Sequence, residues 1–306
     1  MMRTKILLTG ATGFIGRQLV KQFPISRCVV RENENHLCDD LFKIEGLSST
    51  TLWDGAFDGI DAVIHLAGLA HSSKFTQEDY QEVNVDGTMK LAEEAAKAGI
   101  KRFVFVSTIG VNGQITTGIP FSNASPSNPH NDYAQSKYDA EIRLAELSAL
   151  TGMEVVIVRP TLVYGSKAPG NFGLLTKMVK HLPMLPFGMA KNRRHFISVQ
   201  NLCDLLVTCA SARNAAGRVF LASEKDPVST REFTDAIARG LNKEAMQVPI
   251  PVSLMKFGAK IIGKPALVEQ LFGNLEVDSS NLELELNWIA PYTMEQSMSY
   301  LGECDQ

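Results

Sequence analysis

The five cysteines, at positions 28, 38, 203, 209 and 304, form no CxxC pair and no metal-ligand spacing, and their odd number argues against a disulfide framework. Basic blocks are missing as well. With a formal net charge of −3, the chain lacks the electrostatic footprint of a nucleic-acid binder, and small uncharged or anionic ligands suit it better. No apolar run approaches the ~20 residues that cross a bilayer. The run that follows Arg3 and Lys5 ends in glycines after four residues, too short for the apolar stretch of a signal peptide. Internal repeats and low-complexity tracts are absent too. These absences exclude disulfide scaffolds, metal sites of recognisable spacing, nucleic-acid binders and membrane spans, and they leave a soluble protein expected in a reducing cytoplasm.

What remains is a chain of 306 residues, 45% hydrophobic and 21% charged, enough for one large domain or two lobes. Short β-branched runs alternate with helical patterns through the first half: Ile6-Leu7-Leu8, Cys28-Val29-Val30, Ala62-Val63-Ile64, Phe103-Val104-Phe105-Val106 and Val155-Val156-Ile157-Val158. This alternation predicts a parallel sheet flanked by helices. Apolar spacing predicts long crossover helices over 80–98 and 133–150. The expected fold class is α/β, a Rossmann-type doubly wound parallel sheet with a smaller C-terminal substrate-binding lobe. The dinucleotide-binding domain is expected over 1–165, with 191–223 returning to it. After Pro160, glycines and prolines break the pattern, which assigns 166–190 and 224–306 to the second lobe.

The run Thr9-Gly10-Ala11-Thr12-Gly13-Phe14-Ile15-Gly16 follows the first strand and opens a helix, the context a dinucleotide-phosphate loop needs. Gly10 serves a tight turn, Gly13 a close approach to phosphate, and Gly16 the packing of helix on sheet. The second strand ends in Arg31, where an NAD-selective domain places an acid; arginine there favours a 2′-phosphate and hence NADP. NAD stays open, because Glu32 follows immediately and a solvated arginine is the plain alternative.

Tyr133 and Lys137 lie four residues apart, one turn on a shared helix face. A nearby ammonium together with an oxidised nicotinamide ring would favour the phenolate, so Tyr133 is the expected proton carrier in a carbonyl/alcohol interconversion. A hydroxyl from Thr108 or Ser107, at the end of the fourth apolar run, would hold the reacting oxygen.

Six ordered motifs carry a family resemblance: the glycine run, His65-Leu66-Ala67-Gly68, Asn84-Val85-Asp86-Gly87-Thr88, Ser107-Thr108, Tyr133-Ala134-Gln135-Ser136-Lys137 and Arg159-Pro160-Thr161-Leu162-Val163-Tyr164-Gly165. The chain resembles an extended short-chain dehydrogenase/reductase of the NAD(P)-dependent epimerase/dehydratase family, which acts on nucleotide sugars. The resemblance implies catalytic roles for Thr108, Tyr133 and Lys137. It implies cofactor contacts from Gly10, Thr12, Gly13, Phe14, Ile15, Gly16, Arg31, Leu47, Leu66, Ala67, Gly68, Asn84, Val106, Ser107, Tyr133, Lys137, Arg159 and Pro160. Substrate contacts fall to Thr108, Asn171 and Arg194, the last beside the nucleotide diphosphate. Two departures stand out. Glu45-Gly46-Leu47 replaces an acid directly before the leucine at the third strand's end, and Gly273 to Asp278 offers no second phosphate-binding arginine.

Late stretches most resemble bacterial reductases that convert a UDP-linked 4-keto-6-deoxy-N-acetylhexosamine to UDP-N-acetylquinovosamine for surface polysaccharide. An NADPH-dependent 4-keto reductase is therefore the first expectation. An NAD-dependent nucleotide-sugar 4-epimerase is the alternative, and a non-catalytic dinucleotide sensor is the remote one. A dehydratase is disfavoured because Ile109 and Gly110, after Thr108, cannot transfer a proton. The resemblance also implies a homodimer through a four-helix bundle built from the two long helices. His65 and His195 read as structural, His71 as packing ahead of a substrate contact, Trp53 and Trp288 as packing anchors, and Met178, Met184 and Met189 as core ahead of pocket lining.

Overall fold

Seven short runs rich in β-branched and aromatic residues hydrogen-bond side by side in one parallel sheet. The computed structural model describes residues 4–34, 38–70, 72, 74–261 and 265–303. In chain order the first half comprises β1 (Ile6–Thr9), α1 (Phe14–Gln22), β2 (Arg27–Arg31), β3 (Leu41–Ile44), β4 (Ala62–His65), α2 (Gln77–Tyr80), α3 (Thr88–Lys97), β5 (Arg102–Val106), α4 (Asp132–Thr151) and β6 (Glu154–Pro160). There follow β7 (Leu162–Tyr164), α5 (Gly170–His181), β8 (Met184–Leu185), β9 (Phe196–Ser198), α6 (Val199–Ser211) and β10 (Val219–Ala222). The last elements are α7 (Thr230–Gly240), β11 (Met246–Gln247), α8 (Val252–Ile261), α9 (Pro265–Phe272), α10 (Ser280–Leu286) and α11 (Met294–Glu303).

The order across the sheet is β3-β2-β1-β4-β5-β6-β10. Chain direction across it reverses between β1 and β4, and a ligand crevice is expected there, beyond the strands' carboxyl ends. Strand side chains alternate between two helical layers. Ile6, Leu8, Ile64, Val104, Val106, Val156 and Val158 pack with Leu19 of α1 and with Leu202, Leu205 and Leu206 of α6. Leu7, Val63, Phe103, Phe105, Val155 and Ile157 face Leu91 and Ala95 of α3 and Ala140 and Leu144 of α4. Burial on both faces explains why these strands read as continuous apolar runs. Each fully buried aliphatic side chain contributes roughly 1.5–3 kcal/mol. A third core, with Tyr164, Phe172, Phe187, Phe196, Phe233 and Met298, holds α5, α7 and α11 together. In it, the rings of Phe196 and Phe233 stack at 3.9 Å.

Two elements depart from the sequence reading. The helix expected over 80–98 is interrupted: Gln81–Gly87 is a wide π turn between α2 and α3 that buries Asn84. There Asn84 accepts from Leu69 N at 2.7 Å and donates to Leu69 O and Ser136 Oγ. Widening the helix lets this one amide hold both a loop and α4, which apolar spacing cannot reveal. The methionines differ too. Met184 and Met189 are exposed rather than core. Trp53 and Trp288 are buried, as expected.

Candidate active site

At the switch point, Gly10 takes a left-handed φ of +72°, and a methyl group on it would lie 2.7 Å from Ala67 N and 2.9 Å from the Leu66 carbonyl carbon. Only glycine lets the first loop lie against the loop after β4. Gly16 is equally constrained, since a side chain there would collide with the Gly10 carbonyl. Gly13 is exposed at the head of α1, and no side chain caps that helix start. Uncapped amides at a helix N-terminus suit a pyrophosphate. Phe14 and Ile15 are half-buried in the first turn. Nearby, the Ser107 hydroxyl is buried with no hydrogen-bond partner among the described residues. A glycine cradle, open helix amides and an orphaned buried hydroxyl fit a dinucleotide.

At the β2 end, Arg31 does not stand free. Its guanidinium pairs with Glu34 at 2.5 Å, and Glu34 also accepts from Thr12 Oγ1 at 3.1 Å and from Arg31 N. The pair draws Glu34 below the usual carboxylate range, with the Arg31 hydrogen bond as the main cause. Sequence reading weighed Glu32 and missed Glu34. The signal was an acid about 20 residues beyond the glycines. Leu47 sits against the π turn, where a side chain on Gly87 would lie 2.8 Å from Leu47 Cγ. A methyl on Gly68 would come 2.8 Å from Asn84 Oδ1 and 3.6 Å from Lys137 Nζ, which places that loop beside α4.

Helix α4 starts where Asn131 accepts from Ala134 N, so Tyr133 occupies its first turn and Lys137 lies one turn on. Thr108 and Tyr133 line one cavity of about 790 Å³, together with Pro160, Asn171 and Arg194. Thr108 Oγ1 accepts from Gly110 N at 3.1 Å, which leaves its proton for another acceptor. Lys137 is 4% exposed; its Nζ donates to Val106 O at 3.0 Å and lies 4.5 Å from the Phe105 ring centre. Burial brings Lys137 down to about 8. Tyr133 moves the other way, up to about 12, through burial and then the neighbouring Tyr80, whose ring centre is 6.1 Å away. In the protein alone the phenol is therefore raised, with burial as the main cause.

Other expected residues divide. Asn171 lines the cavity and donates to Gln270 at 3.1 Å. Arg194 donates to Gly273 O at 2.8 Å, no carboxylate pairs with it among the described residues, and burial lowers it to about 10. The Arg159 guanidinium points away from the crevice: it pairs with Glu141 of α4 and donates to Asn112 Oδ1. That leaves only backbone from Arg159 for the cofactor side. Its partner, 18 residues upstream, was invisible to spacing. His65 is fully buried between Thr9 Oγ1 and Thr88 Oγ1 and driven down to about 3, as a structural residue should be. His195 accepts from Val277 N and lies against Lys225 O, also structurally. His71 lies outside the described residues. Among these, no helix is long and apolar enough to cross a membrane.

The description "NAD dependent epimerase/dehydratase family" matches residues 6–222. The UDP-glucose 4-epimerase of Vibrio cholerae is 39% identical over 99% of this chain and 95% of its own length. The N-acetyl-alpha-D-glucosaminyl-diphospho-ditrans,octacis-undecaprenol 4-epimerase of Escherichia coli O157:H7 is 25% identical over 97% of this chain and 94% of its own. The solved structure of the Bordetella bronchiseptica enzyme WbmG in complex with NAD shares the fold, with a TM-score of 0.74 at 23% identity over 98% of this chain and 93% of that one. With its glycine cradle at the switch point and a family match across most of its length, the chain is an enzyme that belongs to the NAD dependent epimerase/dehydratase family.

Proposed function

We propose that the protein is a nucleotide-sugar 4-epimerase, oxidising and re-reducing C4 of a UDP-linked hexose with NAD. The observation that carries this reading is the cavity where Thr108 and Tyr133 meet a half-buried arginine that has no carboxylate partner among the described residues. A guanidinium held by one backbone carbonyl keeps further N–H donors for an anion, and guanidinium forks suit phosphate oxygens. The names of the Vibrio cholerae and Escherichia coli relatives, both 4-epimerases, support the same chemistry. The pairing of Arg31 with Glu34 favours NAD over NADP, because a carboxylate at this site accepts from ribose hydroxyls and repels a 2′-phosphate.

A dinucleotide held by the Gly10–Gly16 loop would supply the hydride chemistry at C4. Tyr133 takes the C4 hydroxyl proton as the hydride leaves, and returns it after the 4-keto sugar has turned its other face inward. Thr108 donates to the C4 oxygen and holds it beside the phenol. Lys137, one turn below, adds positive charge that favours the phenolate. Arg194 anchors the diphosphate, and Asn171 lies beside the sugar. Inversion needs room to turn, and mostly apolar walls such as Leu162, Leu174 and Leu175 leave the hexose unpinned.

A second reading, NADPH-dependent 4-keto reduction, is favoured by the position of Arg31 at the end of β2. Proton NMR of UDP-glucose and UDP-N-acetylglucosamine incubated with the enzyme separates the two. C4 inversion without net NADH or NADPH use supports the epimerase. Stoichiometric NADPH consumption with a 4-keto sugar nucleotide and no inversion supports the reductase. The reading also includes a Rossmann domain with a separate substrate lobe, a cytoplasmic enzyme, and a homodimer through the helices containing residues 80–98 and 133–150, for which the exposed Ile142 on α4 offers apolar surface.

A further inference from the structure

A nucleotide diphosphate carries more than one negative charge, yet the stretch from Gly273 to Asp278 has no basic residue to share the work with Arg194. Helix α5 brings a lysine and a histidine to the same cavity. Lys177 and His181 sit one turn apart, on a face that includes Leu174 and Met178, and both line the cavity that contains Arg194. Both are exposed, and among the described residues neither makes a hydrogen bond or an ion pair. Nearby cations of the same lobe behave differently: Arg193 is held by Glu276 at 2.7 Å, and Arg231 lies 3.9 Å from Asp235. Lys177 and His181, like Arg194, face the cavity with no carboxylate partner among the described residues.

We propose that Lys177 and His181 form the second anion contact of the substrate pocket, the lysine by its charge and the imidazole as an N–H donor, completing with Arg194 a three-residue clamp for the diphosphate of a nucleotide sugar. This rests on the nucleotide-sugar reading above and specifies how that site holds its substrate. Side chains four apart on a helix have their bases about 6 Å from each other, so both heads reach one diphosphate. Hydrogen bonds to a charged phosphate are stronger than those between neutral groups. Neither residue handles protons in the proposed reaction, so what their replacement is expected to weaken is binding of the diphosphate.

Isothermal titration calorimetry on the full chain tests this with UDP, dTDP, GDP and CDP as probes. For whichever diphosphate the wild type binds, Lys177→Met and His181→Gln should each raise Kd about tenfold and the double variant about a hundredfold, the loss expected for charge-assisted bonds. Lys177→Arg should return the affinity to within about twofold of wild type, showing that charge rather than shape is responsible. The salt dependence of binding should flatten in the double variant. An unchanged Kd in the double variant, with Arg194→Met still weakened, overturns the clamp and leaves the nucleotide-sugar reading standing. Failure of the wild type to bind any of the four diphosphates overturns both.

Discussion

Lys137→Met should make the protein more stable while abolishing its chemistry. The ammonium is 4% exposed, and burial lowers it from the ordinary 10.5 to about 8. At pH 7 that fall corresponds to about 3 kcal/mol against holding the charge in the folded state. The bond to Val106 O and the contact with the Phe105 ring are lost with the side chain, which costs about 2 kcal/mol. Methionine fills a similar volume, so the net gain is about 1 kcal/mol, a rise of about 2 °C in Tm. The pH dependence identifies the cause. Between pH 8 and 10.5 the unfolded chain binds the lysine proton and the folded protein does not, so wild-type stability rises through that window. The advantage of the variant should therefore hold from pH 6 to about 8, shrink above it, and become a deficit near pH 10.5. Thermal unfolding by circular dichroism at pH 7 and pH 10 measures this, with C4 turnover of a nucleotide sugar falling at least ~100-fold in the same variant. A variant less stable than wild type at pH 7, or a gap that ignores pH, would refute the claim that an unfavourably buried charge is kept for function.

Further outcomes follow from other residues. His65, held down to about 3 by burial and by Lys137, stays neutral in the folded protein while its unfolded counterpart takes a proton below about 6.5. Stability should thus fall as pH drops from 6.5, by about 3 kcal/mol at pH 4.5, and urea midpoints of wild type and His65→Gln should converge by that amount between pH 7 and 4.5. Glu141→Ala leaves the Arg159 guanidinium buried without its partner and should cost about 3–5 kcal/mol in chemical denaturation. A loss below 1 kcal/mol would show that Arg159 finds another partner or water. Glu34→Ala frees Arg31 and removes the carboxylate, so fluorescence titrations should show the ratio of NADP to NAD affinity rising about tenfold. An unchanged ratio would mean that neither residue meets the adenosine ribose.

The core strands were legible because parallel strands buried on both faces must be apolar at every position, and Phe103 to Val106 is. β3, by contrast, is an edge strand whose apolar run is broken by the exposed Lys43, so it does not stand out. The ends of α4 could be read closely, within a residue of the expected span. The π turn around Asn84 could not, since its cause is a pair of hydrogen bonds to Leu69 and Ser136, remote in sequence. At the site, Thr108, Tyr133 and Arg194 meet one cavity because strand ends and a helix start converge there, which the motif order already implied. Lys177 and His181 carried no motif, and Glu34 carried only its distance from the glycines. Their significance comes from what they face or pair with, which only tertiary structure supplies. The phenol's upward shift shows the same limit: spacing placed a lysine near it, but the desolvation that dominates depends on packing from Tyr80 and the surrounding walls.

The central claim is that Tyr133 moves the proton at C4 of a nucleotide sugar, and Tyr133→Phe tests it with the least ambiguity because only one oxygen is removed. Wild-type and variant enzyme, both shown to bind NAD and the sugar nucleotide by calorimetry, are compared by proton NMR for conversion at C4. The account predicts conversion by wild type and a loss of about 100-fold or more in the variant, with both binding constants nearly unchanged. Turnover of Tyr133→Phe at the wild-type rate would contradict it.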